Sequence, residues 1–188
     1  MSSQTYEPST LGYALLGLLA REPLSGYDLA RHLERPLGFF WSARHSQIYP
    51  ELAKLEAAGL VAHEVVAQSD RPDKKVYAPT GEGRERLAAW VTSALPPEKP
   101  KVELLLRTHS VWTADPVAAA ALYEGEAERA EADLARFEAA LGRFTAAGMP
   151  SVGDPRFGSV ANLRYGIANR REVAAWCRWM VGELRRAP

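Results

Sequence analysis

The feature that most limits what this chain can fold into lies in its second half. Tyr123, Ala127, Ala130, Leu134, Phe137, Leu141 and Phe144 follow one another in alternating steps of four and three residues. That period places them on one stripe of a helix, and a stripe of this length demands another helix to cover it. Asp115 and Pro116 read as the N-cap and first-turn proline of this helix. After a Gly- and Pro-containing loop at 148–158, a last helix over 159–185 carries a second stripe, Leu163, Ile167, Ala174, Cys177, Val181 and Leu184. The expectation is that these helices pair between two subunits, with Tyr123, Leu134, Phe137, Leu141, Leu163, Ile167, Cys177 and Leu184 at a homodimer interface.

The first half is built differently, from short segments separated by breakers. Residues 10–20 read as a core helix with Leu11, Leu15, Leu18 and Leu19 at helical spacing and Thr10 as N-cap. Pro23 and Ser25-Gly26 interrupt it, and a second helix is predicted from about 25 to 33, with Ser25 as N-cap and Asp28 favouring the helix dipole. A third helix spans 46–58 and buries Ile48, Leu52 and Leu55; Pro50 falls early enough to be tolerated, and Gly59 is its stop. Two strand-like segments, 60–68 and 75–79, flank the turn formers 69–74 and read as a hairpin. A connecting helix carries Leu87, Trp90 and Val91, until Pro96, Pro97 and Pro100 mark a boundary.

Three short helices followed by a charged hairpin make a winged helix-turn-helix. The predicted fold class is mainly α with a small β-hairpin: a DNA-binding domain with its connecting helix over residues 1–92, then a helical dimerisation and effector domain over 93–188.

In such a motif the second helix enters the major groove by its N-terminal end. That end is Arg44, His45, Ser46, Gln47 and Tyr49, with Gln47 able to present a donor and an acceptor together to adenine, and Ser46 and Tyr49 better suited to phosphate. Lys54 would reach the backbone one turn further along. Ser25, Gly26 and Tyr27, at the start of the preceding helix, could hold a phosphate on their N–H groups. Arg71, Lys74 and Lys75 make the hairpin the most basic short stretch of the domain, and Tyr77 completes the expected DNA-binding set. The chain as a whole supplies no such bias, because 23 basic residues balance 23 acidic ones; neither half is strongly basic, so any DNA surface is local.

Residues 11–20, Ser25-Gly26-Tyr27-Asp28-Leu29, Gln47-Ile48-Tyr49-Pro50-Glu51-Leu52, Lys54-Leu55-Glu56, Gly59-Leu60-Val61 and 75–81 together resemble the PadR family of transcriptional regulators. The second half is similar in helix pattern to the long carboxy-terminal domain of virulence-activator-type members. The resemblance implies a dimeric repressor on a palindromic operator, often released by a small aromatic or hydrophobic compound. The sequence departs from the commonest wing ending in having Ala78-Pro79-Thr80 after Tyr77, which implies a short second wing strand.

Other features point less far. Trp112, Trp176 and Trp179 could stack a flat aromatic effector, although large aromatics at helical spacing more often bury themselves against another helix, here in a dimer core. Cys177 lies on an apolar stripe, where burial is the expectation rather than redox sensing. His32, His45, His63 and His109 have no partner at metal-ligand spacing, and no nucleotide-binding or catalytic motif is evident, so neither a metal, a cofactor nor an enzyme activity is expected. With a polar amino terminus and no apolar run long enough to span a bilayer, the expected location is the cytoplasm. Two rivals stand beside the regulator: a winged-helix protein-interaction module without sequence-specific DNA binding, and a small-molecule scaffold or enzyme built on the carboxy-terminal helices.

Overall fold

The computed structural model describes residues 6–34, 45–67, 73–95, 97 and 102–186. The chain divides into two compact units, Met1–Pro96 and Pro97–Pro188.

The first unit runs α1 (Thr10–Leu19), β1 (Leu24–Ser25), α2 (Gly26–Glu34), α3 (His45–Ala57), β2 (Val61–Val66), β3 (Lys74–Pro79) and α4 (Gly81–Val91). Ser9, one residue before the expected Thr10, caps α1 by accepting from the Gly12 N–H at 3.1 Å. Tyr13, Leu15, Leu16, Leu18 and Leu19 are all buried, so α1 is apolar on nearly every side and forms the centre on which the other elements pack. Leu29 and Leu33 of α2, Ile48, Leu52 and Leu55 of α3, and Leu60, Val61 and Tyr77 complete one core. Tyr13 also stacks on Trp90 of α4, with ring centroids 4.6 Å apart.

The sheet has three strands rather than the two of the expected hairpin, in the order β1-β3-β2. β2 pairs antiparallel with β3 from Val61↔Pro79 to Val66↔Lys74, and β1 adds to the other edge through Leu24↔Tyr77 and Ser25↔Val76. A two-residue strand has too little length to show a period of two, so only the tertiary pairing reveals it. β3 is also as long as β2, six residues each, despite Pro79; a proline at the end of a strand forfeits little of the ladder.

Gly59 ends α3 with φ +71°. Leu60 N–H donates to Leu55 O, and Gly59 N–H to Glu56 O, both at 2.9 Å, which is the paired closure of a left-handed helix end. Thr80 then fastens α4 to this turn: its hydroxyl donates to Gly59 O at 2.7 Å and accepts from Gly83 N–H at 3.1 Å. A Cβ at Gly83 would lie 2.0 Å from Leu60 O, so only glycine permits the approach.

The second unit contains α5 (Glu103–His109), a single 3₁₀ turn (Val111–Thr113), α6 (Pro116–Thr145) and α7 (Arg156–Arg186). Asp115 caps α6, accepting from Ala118 N–H at 2.8 Å, with Pro116 opening the helix. α6 and α7 form an antiparallel hairpin. Tyr123 and Ala127 meet Cys177, Met180 and Val181 near one end, and Phe137 and Ala140 meet Leu163 and Ile167 near the other.

The stripe expected at a dimer interface turns inward within one chain. Tyr123, Phe137, Leu163, Ile167 and Cys177 are buried, and Leu134, Leu141 and Leu184 pack beside them, all between helices of one chain. The short connection from α6 to α7 makes the intrachain partner the readily available one, since closing a short loop costs little entropy. Cys177 is fully buried, which pushes its thiol pKa up. Salt bridges from Glu124 to Arg185, Glu131 to Arg178, Asp133 to Arg170 and Glu138 to Arg171 flank the seam. The tryptophans do not share one environment: Trp176 meets Tyr123 edge-on at 5.8 Å, whereas within the single chain Trp112 is 84% exposed and Trp179 is exposed too.

Candidate nucleic-acid interface

α3 divides sharply by face. Ile48, Leu52 and Leu55 enter the core, while Ser46, Gln47, Pro50 and Lys54 are exposed and, at 100° per residue, share a stripe on the opposite side. Tyr49 flanks this stripe, half exposed, and leans over α2. A Cβ on Gly26 would meet its ring at 2.6 Å, so the glycine is what lets the two helices come this close. His45 opens α3 in its backbone; its side chain, together with Arg44 and Arg71, lies outside the described residues.

Behind the stripe sits a carboxylate that the sequence reading did not single out. Glu51 is 5% exposed; its Oε1 accepts from Ser9 Oγ at 2.6 Å and Tyr6 OH at 3.3 Å, and Lys54 Nζ lies 3.5 Å from Oε2. Burial alone would raise its pKa, but the Ser9 hydrogen bond, the Lys54 charge and the Tyr6 hydroxyl outweigh it and hold the carboxyl below its ordinary range. Burial and the same carboxylate push the Tyr6 hydroxyl up to about 12. Ser9 thus caps α1 and binds α3 at once, joining the core helix to the exposed one. The available signal was a carboxylate three residues after Ile48, on the buried side of a helix.

The start of α2, where phosphate contacts are expected at Ser25 and Gly26, is occupied by the protein's own groups rather than open. Ser25 is 5% exposed, its Oγ accepting from Asp28 N–H at 3.2 Å and donating to Asp28 Oδ2 at 2.7 Å. Lys74 Nζ reaches the same oxygen at 2.7 Å, so the expected wing cation is already paired with the protein's own acid. These hydrogen bonds, Lys74's first, hold the Asp28 carboxyl below its ordinary range. Tyr27 is exposed, with the Arg31 guanidinium 6.0 Å from its ring centre.

Tyr77, expected in the DNA-binding set, turns inward in this structure. It is 8% exposed, burial raises its hydroxyl pKa, and its ring lies 5.4 Å from that of His63, so it anchors β3 in the core. His63 in turn pairs with Glu56 of α3, tying the strand to the helix. Lys75 is exposed on β3, as are Val65 and Val66 on β2. The described surface is therefore a polar stripe on α3, Tyr27 and Arg31 on α2, and Lys75 on the wing: hydrogen-bonding groups on a helix beside cations on its neighbours, the combination that reads a groove and grips its phosphates.

In the second unit a shallow depression between the start of α6 and the end of α7 is lined by Pro116, Val117, Ala120, Glu124, Leu184 and Arg185, and by none of the three tryptophans. Among the described residues no group of His, Cys, Asp and Glu side chains is placed to hold a metal ion, and no helix is long and apolar enough to cross a membrane.

Comparison with known proteins finds the transcriptional regulator PadR-like family over residues 15–89 and the virulence activator alpha C-terminal family over residues 100–185. The negative transcriptional regulator PadR of Bacillus subtilis is 33% identical over 168 residues, covering 88% of this chain and 92% of the relative. The crystal structure of that protein in complex with operator DNA superposes with a TM-score of 0.86 at 30% identity, covering 94% of this chain and 99% of the other. Its structure in complex with p-coumaric acid superposes with a TM-score of 0.80 at 29% identity, covering 95% and 100%.

Proposed function

This chain belongs to the PadR-like family of transcriptional regulators, and from that membership we propose that it is a repressor that binds operator DNA as a homodimer. The observation that carries this reading is the face of α3: Ser46, Gln47, Pro50 and Lys54 stand exposed on a helix whose other side is locked into the core by Ile48, Leu52, Leu55 and Glu51. A rigid helix with a polar outer stripe can carry base readout, because the side chains that read are positioned by those that do not. Gln47 is the base reader, Ser46 and Tyr49 serve phosphate or less selective contacts, and Lys54 and Lys75 contact the backbone. Arg44, His45 and Arg71 remain in the proposed set on the sequence reading.

Two copies present two such helices to the halves of a palindrome, and repression follows from occupying a promoter. The second unit, proposed as the dimerisation and effector half, exposes Leu105, Leu106, Trp112 and Val117 outside its filled seam, a quantity of apolar surface that favours association. A protein in this role works in the cytoplasm, and a small aromatic acid is the class of effector suggested by the Bacillus subtilis complex with p-coumaric acid. An effector relieves repression by binding better to a dimer whose helices are wrongly spaced.

The test is a mobility-shift titration against the DNA upstream of the protein's own coding region, at several salt concentrations, with unrelated DNA as competitor and with and without p-coumaric acid. Saturable binding that survives the competitor is expected, with Gln47→Ala relaxing preference at one base pair by about 1–3 kcal/mol. Equal binding to every sequence, or none, would leave a winged helix that binds protein partners.

A further inference from the structure

β3 delivers a cation to the start of α2 by register. Ser25 pairs with Val76, and Lys74, two residues before Val76, lies on the same face of the strand. Since Gly26 begins α2 immediately after Ser25, the Lys74 ammonium arrives at the first turn of that helix and meets the Asp28 carboxylate at 2.7 Å. The Ser25 hydroxyl donates to the same oxygen. A helix N-terminus, a hydroxyl and an ammonium form the kind of cradle that takes a phosphate; here it already contains an anion. The two side chains are only 37% and 28% exposed, so solvent screens the pair less than a free surface pair.

We infer that Asp28 is a positioning residue that sets the sequence-independent part of DNA affinity: it holds Lys74 away from DNA phosphate and so limits backbone binding to any duplex. The inference rests on the DNA-binding reading above. Phosphate contacts add affinity for all sequences alike, so every cation that is neutralised internally lowers affinity for operator and unrelated duplex together and flattens the salt dependence of both. A DNA phosphate can recruit Lys74 only by displacing or sharing with Asp28, whose own charge repels it. Base readout from α3 is untouched by this competition, so operator and unrelated duplex lose the same factor of affinity and binding to both becomes less steeply dependent on salt.

The experiment uses the full chain and four proteins, wild type, Asp28→Asn, Lys74→Ala and the double variant, titrated by fluorescence anisotropy with the upstream DNA and with an unrelated duplex across a salt series. The asparagine keeps an acceptor for Ser25 and removes the charge. Asp28→Asn is expected to tighten binding to the unrelated duplex by about three- to tenfold at low salt and to steepen the salt slope by about 0.9, the value of one added phosphate contact. Lys74→Ala alone is expected to leave the slope unchanged, and the double variant to lose the gain. Unchanged or weaker binding by Asp28→Asn with an unaltered melting temperature would overturn the inference, as would a gain that persists without Lys74. If Asp28→Asn fails to fold, Lys74→Ala decides: a slope flattened by about 0.9 would mean that Lys74 already grips phosphate in the wild type. Loss of all DNA binding by the wild type as well would remove the DNA-binding reading itself, whereas normal wild-type binding with an inert Asp28→Asn removes this inference alone.

Discussion

In the first unit α1 is surrounded: Leu15, Leu16 and Leu19 are fully buried, and α2, α3, α4 and β3 all pack on it. In the second unit α6 and α7 share one seam, built partly from alanines (Ala127, Ala140 and Ala174), and turn Val117, Tyr165 and Trp179 outward while α5 exposes Leu105 and Leu106. The first unit completes its core within one chain and presents polar groups to its partner. The second completes only the seam and keeps apolar surface outside it. A two-helix hairpin has one inward face per helix, and each helix here runs for 30 residues or more, so large side chains on the remaining faces need further chain to cover them.

The largest effect that would test this contrast is a cavity in the self-contained core. Leu52→Ala, at a fully buried position of α3, is expected to reduce stability by about 2–5 kcal/mol in denaturant unfolding. A loss below about 1 kcal/mol would mean that the first unit is packed no better than the second. Next comes the exposed surface of the second unit. Leu106→Glu combined with Trp112→Ser, at positions 71% and 84% exposed, should weaken self-association by about tenfold or more in sedimentation equilibrium, without moving the unfolding transition of the first unit. Undiminished association would put the dimer contact elsewhere.

A smaller effect is expected at Glu51. Glu51→Gln should cost about 1 kcal/mol at neutral pH, the scale of a hydrogen-bonded group that keeps part of its network. Because the folded-state pKa lies below the ordinary carboxyl value, the wild-type advantage is complete above the ordinary carboxylate range and is lost as pH falls through the folded value. The difference between the two proteins should therefore shrink on acidification, and a constant difference would show that the charge is immaterial. The smallest effect is expected at the Glu131–Arg178 pair, which is exposed on the flank of the seam. Arg178→Ala should leave the melting temperature unchanged within error, because solvent screens such pairs; a clear fall would mean that the charged ladder, and not the apolar seam, holds α6 to α7.

Much of the helical architecture was legible in the sequence because it is local. The spacing of Ile48, Leu52 and Leu55, the capping chemistry of Asp115 and Pro116, and the stop at Gly59 each concern residues within a few turns of one another. The candidate site was legible in outline: the exposed stripe of α3 and the exposed Tyr27 and Lys75 stand where the sequence reading expected a surface. What was not legible depends on partners distant in sequence. Tyr77 looked like a wing residue until β1 and His63 enclosed it. Lys74 looked like a free cation, but its anion is 46 residues away, and Glu51 depends on Ser9, 42 residues away.

The sequence by itself determined which of the longer segments are helical, where they start and stop to within a few residues, which side of each is apolar, and that residues 116–145 require a helical partner. Only the tertiary structure decided who the partners are. The seam is filled by α7 of the same chain, β1 joins the wing, and Asp28 takes Lys74. The physical reason is that periodicity encodes the face a residue occupies, whereas which distant face covers it depends on chain closure and on the competition among all available partners, a property of the folded chain as a whole.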